Sequence, residues 1–273
     1  MAVIVAAFYH FFDFADFVNT RTPLLETMQA LDIKGSVLLA PEGVNGTISG
    51  SRESINAFIA HLQEKITHAP ITVKESEFAA HPFRRAKVRL KKETISLGEK
   101  VDISQVGEYV TPQDWNALIA SPDTIIIDTR NDYEVHLGTF AGARNPKIKN
   151  FKELPAYMRA ELAGAKDKKI ATFCTGGIRC EKFTAWLKQE GYEHVYHLQG
   201  GILKYLEEIP PQQSTWQGEC YVFDERVAVG HGLAPTISAT ACPACGHTLT
   251  PEDRAHPHYQ KDAACPFCHP LAG

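Results

Sequence analysis

No apolar run in the 273 residues approaches the roughly 18 that would cross a bilayer. The longest, Ala2 to Phe8 and Thr124 to Ile127, have the length of strands. A basic leader is missing too: MAVIVAAFYHFFDF carries neither Lys nor Arg and is interrupted at His10 and Asp13, so no signal peptide is expected and the protein is read as cytoplasmic, without a membrane partner. Positive charge is not in excess. Against 32 Asp and Glu stand 28 Lys and Arg, a net charge of -4, which confines any nucleic-acid binding to a local patch. The cysteines, seven in all, are odd in number on a chain with no export signal, which excludes a disulfide scaffold and leaves reduced thiols, ligands or reactive groups. With 44% hydrophobic and 22% charged residues, 19 Gly and 16 Pro, composition also excludes disorder and a fibrous repeat. The chain is long enough for two or three domains.

The first region reads as strand, helix, strand, strand, helix, strand. Val3 to Tyr9 suits a buried strand, and Thr22 with Pro23 opens a helix carrying Leu24, Leu25, Met28 and Leu31. Ser36 to Ala40 and Thr47 to Ser49 flank PEGVNG, whose Pro and Gly residues suit a turn. Ser51 caps a second helix with Ile55, Phe58, Ile59 and Leu62 on one face, and Ile71 to Glu75 completes a ferredoxin-like βαββαβ order. A basic segment follows, in which Arg84 and Lys92 bracket an alternation that puts Arg85, Lys87, Arg89 and Lys91 on one face and Val88 and Leu90 on the other. That face could hold phosphates or could simply be solvated. Glu93 to Val110 reads as a polar connector.

The second region opens at Thr111 and Pro112 with a short helix through Trp115, Leu118 and Ile119. TIIIDTR and KKIATF are strands of a mainly parallel α/β sheet. The second strand runs into Phe173-Cys174-Thr175-Gly176-Gly177-Ile178-Arg179-Cys180-Glu181, a strand, a glycine loop and a helix start. Backbone N–H groups and the helix N-terminus would converge on the Cys174 sulfur, lowering its pKa. Gly176 and Gly177 permit unusual angles and close approach of the amides to a bound group. Only four residues separate Cys174 from Arg179, whereas a cysteine-based phosphatase loop has five; the shorter ring suits a persulfide or another small anion. Cys180 could act as a resolving thiol or pack beneath the loop. A helix with Phe183, Trp186 and Leu187 follows, then a strand at His194 to Leu198.

The third region, from about Pro210, loses clear periodicity. Cys242, Cys245, Cys265 and Cys268 form C-x2-C-x19-C-x2-C, the spacing of a structural four-thiolate Zn2+ site, with Gly246 easing the first knuckle. His247 and His269 are the weaker substitute ligands. His256 and His258 join them in no helical ligand pattern, and Cys220 reads as a packed thiol.

DTRNDYEVHLGTFAGA, CTGGIRCEK and LQGGILKYL together resemble a rhodanese domain, with Cys174 at the persulfide-forming position. GSVLLAPEGVNGTISGS, KVRLKKETISLG and GECYVFDERVAVGHGL are similar to segments of the bacterial tRNA uridine 5-hydroxylase family, in that family's order. Pattern and resemblance together divide the chain into a ferredoxin-like domain (1–93), a linker (94–110), a rhodanese α/β domain with a parallel sheet (111–209) and a Cys-rich region expected to bind zinc (210–273). The resemblance implies oxygen-dependent hydroxylation of the wobble uridine 34 of tRNA to 5-hydroxyuridine. Cys174, Arg179 and Cys180 would be catalytic; Thr175, Gly176, Gly177, Arg85, Lys87, Arg89 and Lys91 would meet the substrate, an anticodon loop; molecular oxygen would be co-substrate. Arg144, Lys147, Lys149 and Lys152 could extend the basic approach. No flavin or haem motif is visible and nothing names the reductant. Asp128, Arg130 and Glu134 match the DxR...E part of the rhodanese pattern and are expected to be scaffold ion pairs.

Two other functions stay open. The Cys174 loop by itself equally supports a persulfide sulfurtransferase, which the flanking ferredoxin-like domain and basic strand oppose. A non-catalytic RNA-binding zinc module is opposed by the intact Cys174, Gly176, Gly177 and Arg179.

Overall fold

The computed structural model describes residues 3–236 and 238–269; Ala2, the start of the first apolar run, lies outside the described residues. Two compact units emerge: residues up to Gly107 together with Gly176–Gly191, and Glu108–Thr175 together with the residues from Tyr192 onward.

The first unit is built on β1 (Val3–Phe11), α1 (Phe17–Ala30), β2 (Lys34–Ala40), β3 (Gly43–Gly50), α2 (Arg52–Leu62), β4 (Val73–Phe78) and β5 (Ala86–Leu90). The sheet order is β4-β1-β3-β2-β5, antiparallel except where β5 runs parallel to β2. The first four strands and two helices are the expected βαββαβ. The basic segment adds a fifth strand at the edge, with Val88 buried against the core and Arg85, Arg89 and Lys91 exposed, while Lys87 is half-buried. Leu24, Met28, Val37, Ile48, Ile55, Phe58 and Leu62 fill the space between sheet and helices.

Three local expectations are corrected. Helix α1 starts at Phe17 rather than at Thr22, with Asp16 at the cap position though its side chain makes no capping bond, and Pro23 is accommodated inside it. PEGVNG is not all turn: Ala40 faces Gly43, so only Pro41 and Glu42 turn the hairpin while Val44, Asn45 and Gly46 are strand. Gly43 takes φ +138, open to glycine, and a Cβ there would stand 2.1 Å from the His10 carbonyl oxygen. The strand expected at Ile71 lies instead at Val73–Phe78. The Ser51 cap holds, its hydroxyl accepting from the Ser54 N–H at 3.0 Å.

The second unit contains β6 (Glu108–Val110), α3 (Pro112–Ala120), β7 (Thr124–Asp128), α4 (Asp132–Val135), β8 (Gly138–Phe140), α5 (Leu154–Glu161) and β9 (Lys169–Phe173). After β9 the chain leaves for α6 (Ile178–Gln189), which belongs to the first unit, and returns as β10 (His194–Leu198), α7 (Gly201–Glu208) and β11 (Trp216–Gly218). The sheet is all parallel, in the order β6-β10-β9-β7, and its central strand β9 is buried from Ile170 to Phe173, as a strand covered on both faces should be. Thr111 caps α3 by accepting from the Asp114 N–H, with Pro112 in the first turn. Phe140 is the hub of an aromatic core, meeting Phe173 at 4.8 Å and Trp216 at 5.1 Å, edge to face.

Candidate active site

Strand β9 ends at Phe173, so Cys174 stands at the carboxyl end of a central parallel strand, where open α/β sheets place ligands. The backbone carbonyls of Cys174 and Thr175 accept from the Ile202 and Leu203 N–H groups of α7 at 2.9 and 3.0 Å. Gly177 takes φ +104 to reverse the chain into α6. At that angle a side chain would be strained, which accounts for the second glycine. Gly176 is half-exposed with open space where a Cβ would stand. Cys174 itself is only 1% exposed, and Arg179 and Cys180 are buried in the first turn of α6.

Asp128 and Arg130 form the expected ion pair. Arg130 Nε and Nη2 donate to the two Asp128 oxygens at 2.9 and 2.6 Å, with both side chains fully buried. Burial works against the guanidinium charge, but Asp128 outweighs it and holds the Arg130 pKa above its ordinary value. Glu134 adds to the positive shift of Arg130 and makes further contacts of its own. Arg130 Nη1 donates to the Glu134 backbone oxygen, while the Glu134 carboxylate accepts from the Asn131 N–H at 3.1 Å and from the Thr175 hydroxyl at 3.4 Å. Glu134 thus caps α4 and steadies the residue after Cys174.

In the first unit, α6 carries a residue that the sequence pattern does not single out. Lys182 is 1% exposed, yet its ammonium donates to Glu42 Oε1 and Oε2 at 2.8 and 2.9 Å, to Glu93 Oε2 at 2.6 Å and to the Ile95 carbonyl at 3.1 Å. Tyr9 of β1 donates to Glu181 at 2.8 Å. The helix start is thereby tied to the β2–β3 turn and to the residue just past the basic strand. A helix lysine at this spacing looks like a solvated one in sequence, and only the two partners reveal its burial.

In the second unit the sulfurs of Cys242, Cys245, Cys265 and Cys268 all lie within 4.8 Å of one another, with Cys242–Cys268 at 3.9 Å and Cys245–Cys265 and Cys265–Cys268 at 3.6 Å. A tetrahedral site with metal–sulfur bonds of about 2.3 Å has sulfur–sulfur edges of roughly 3.8 Å, so these four could hold a metal ion. Gly246 takes φ +75, and its N–H donates to the Cys242 carbonyl at 2.8 Å, closing the first knuckle. Burial, then the surrounding thiols, push the Cys245 pKa up to about 12, and burial also raises Cys265. Cys242 goes the other way, to about 7, because hydrogen bonds from the Cys245 and Ala244 N–H groups overcome its burial. Thiols this close resist ionising together until a cation neutralises them. Among the described residues no other cluster of His, Cys, Asp and Glu gathers in this way, and His247, His256, His258 and His269 add no second site.

No described helix is long and apolar enough to cross a membrane. Residues 3–94 match the UPF0176 acylphosphatase-like domain and residues 111–208 the rhodanese-like domain. Proteins named tRNA uridine(34) hydroxylase from Sinorhizobium medicae and Sinorhizobium fredii are each 52% identical over 268 residues, covering 97% of this chain and 85% of theirs. Among solved structures, the Alr3790 protein of Anabaena matches at 20% identity with TM-score 0.34, over 40% of this chain and 91% of its own. An acylphosphatase from Coxiella burnetii matches at 18% identity with TM-score 0.26, over 32% of this chain and 93% of its own.

Proposed function

Because this chain belongs to the tRNA uridine(34) hydroxylase family, we propose that it is a cytoplasmic enzyme that hydroxylates uridine 34 in the anticodon loop of tRNA at C5, through the thiolate of Cys174. The family relationship over 97% of the chain carries this reading, and the placement of Cys174 at the end of β9 supports it.

The uracil C5 is a poor target for oxidation until a nucleophile adds to C6. In the proposed route the Cys174 thiolate forms a bond to C6 and C5 becomes enolate-like. C5 takes one oxygen atom from dioxygen, and the other leaves as water after an external donor supplies two electrons and two protons. Loss of the C5 proton then breaks the C6–S bond, restores the ring and frees the thiolate. A persulfide or sulfenic form of Cys174 is the rival state of the same sulfur. Arg179 balances the sulfur's charge and Cys180 is the second thiol at hand; Thr175, Gly176 and Gly177 frame the base, and Arg85, Lys87, Arg89 and Lys91 meet the phosphates. Cys174 is 1% exposed, so the base reaches it as the loop opens, a step that half-exposed Gly176 with its free surroundings eases.

The four C-terminal cysteines are assigned to a structural Zn2+, since a closed four-sulfur set leaves no position for substrate. The functional boundaries follow the motifs: 1–93, 94–110, 111–209 and 210–273.

Nucleoside analysis of tRNA from cells lacking the protein, complemented with wild type or Cys174→Ala, tests the assignment. Loss of 5-hydroxyuridine derivatives that only the wild type restores is the expected result. Their persistence in the Cys174→Ala strain overturns the role of this sulfur, and a loss of thiolated bases instead favours sulfur transfer, the reading that the rhodanese-like match at residues 111–208 keeps in view.

A further inference from the structure

The segment Gly218–Leu233, GECYVFDERVAVGHGL, lies outside both the Cys174–Arg179 loop and the four-cysteine cluster in sequence. It folds as a small hairpin of β12 (Cys220–Tyr221) and β13 (Ala228–Val229). The tip is locked: Arg226 Nε and Nη2 donate to the two Asp224 oxygens at 2.8 and 2.6 Å, with both side chains buried. Val222 and Val227 close the turn, the Val222 N–H donating to the Val227 carbonyl at 2.9 Å. Val227 sits at φ +64, a left-handed conformation that a β-branched residue adopts only when its surroundings impose it. This rigid tip presents Phe223, which at 55% is the most exposed large hydrophobic side chain among the described residues.

Phe223 does not stand alone. Its ring meets Tyr221 edge to face at 5.0 Å, and Tyr221 meets Tyr133 likewise at 5.3 Å. Tyr133 is in the first turn of α4, and there the Asp132 N–H donates to the Ile148 carbonyl at 2.8 Å. Lys147 and Lys149, both exposed, thus flank the residue that is bonded to the chain neighbour of Tyr133. The acids nearby are Asp132, whose carboxylate accepts from the Asn145 amide, Glu153, whose carboxylate accepts from the Lys149 N–H at 3.0 Å, and Glu225. The residue after Tyr133 is Glu134, which holds the Thr175 hydroxyl next to Cys174. Aromatic faces, lysines and the thiol loop are therefore joined within one unit.

We propose that Tyr133, Tyr221 and Phe223 form a stacking platform for an unpaired base of the RNA loop, with Lys147 and Lys149 on the adjoining phosphates. The proposal rests on an RNA substrate for Cys174 and names where a nucleotide flanking the target is held. Bases that leave a loop lose their stacking partners, and an exposed, rigid aromatic ladder replaces them at small conformational cost. A protein partner would use the same apolar tip, but Lys147, Lys149 and the link to Cys174 favour a polyanion that must reach the sulfur.

Fluorescence anisotropy with a labelled anticodon stem-loop, and with a fully paired hairpin of equal length, tests this on the full chain. Phe223→Ala should weaken the stem-loop complex by roughly 5- to 100-fold, leave the paired hairpin unchanged and preserve the salt slope, with Phe223→Trp restoring affinity. Stem-loop affinity within twofold of wild type, or equal losses on both RNAs, overturns the platform. If Phe223→Ala binds normally while wild type hydroxylates through Cys174, the platform fails and the proposed function stands. If the stem-loop binds through Phe223 yet is never hydroxylated, the platform stands and the proposed function fails.

Discussion

Lys182 Nζ lies 2.6 Å from Glu93 Oε2, and the same ammonium also reaches both carboxylate oxygens of Glu42. A nearly buried cation on the helix that follows the Cys174 loop is thus shared by two acids, 89 and 140 residues away in sequence. Glu42 is held from a second side by the Thr94 N–H and hydroxyl, each at 2.8 Å, so the charges are not free to rearrange.

Lys182→Met should therefore leave two carboxylates facing each other without a counter-charge. The expected cost is about 3 kcal/mol, near the low end for a broken buried pair because both acids keep some solvent contact. Urea unfolding of the variant measures it, and a loss under about 0.5 kcal/mol, the scale of a surface change, would refute the structural weight given to this lysine.

Acid should weaken the first unit before it reaches the carboxylate range. Burial, seconded by Lys34, holds the His81 pKa below its ordinary value, and burial lowers His10 as well. The unfolded chain then binds protons more readily than the folded one. The stabilisation is complete above about pH 6.5 and declines as pH falls toward the lowered folded values. Urea midpoints taken from pH 7.5 to 5 should drop, and His81→Asn should flatten the drop; a midpoint that rises on acidification contradicts the assignment.

Metal analysis of protein purified without chelator should find about one zinc per chain. Cys265→Ser should lose it, and chelator should lower the melting temperature of the wild type more than that of the variant. A full complement of zinc in the Cys265→Ser protein would remove this cysteine from the ligand set.

Replacing Arg85, Lys87, Arg89 and Lys91 together by Gln should weaken tRNA binding and lower the slope of log affinity against log salt by roughly 0.7 to 0.9 for every phosphate left without its cation. Binding measured between 50 and about 200 mM salt decides it, and an unchanged slope takes β5 out of the RNA footprint.

Local signals account for most of the architecture. Periodic apolar residues, the Ser51 and Thr111 caps and the paired cysteines are short-range features, and the elements they specify are present. Long-range pairing is what short windows miss. The parallel alignment of β5 with β2 joins Ala86 to Gly35, and the Tyr133–Tyr221 contact bridges the rhodanese-like part to the hairpin. Pro23 suggests a helix start because proline suits a first turn, but the helix begins about one and a half turns earlier, where Phe17 packs against the core. For the loop, the type and order of residues are legible in CTGGIRC, whereas the burial of Cys174 depends on packing that sequence does not express.

The edge position of β5 gives its cations a second consequence. Outermost strands offer unsatisfied backbone groups to any neighbouring molecule, and closely spaced charges deter such pairing. A chain stripped of those four charges would keep its core, yet its sheet would be open to growth by addition of a second copy. The residues proposed to meet tRNA phosphates would then also be the ones that keep the molecule from aggregating.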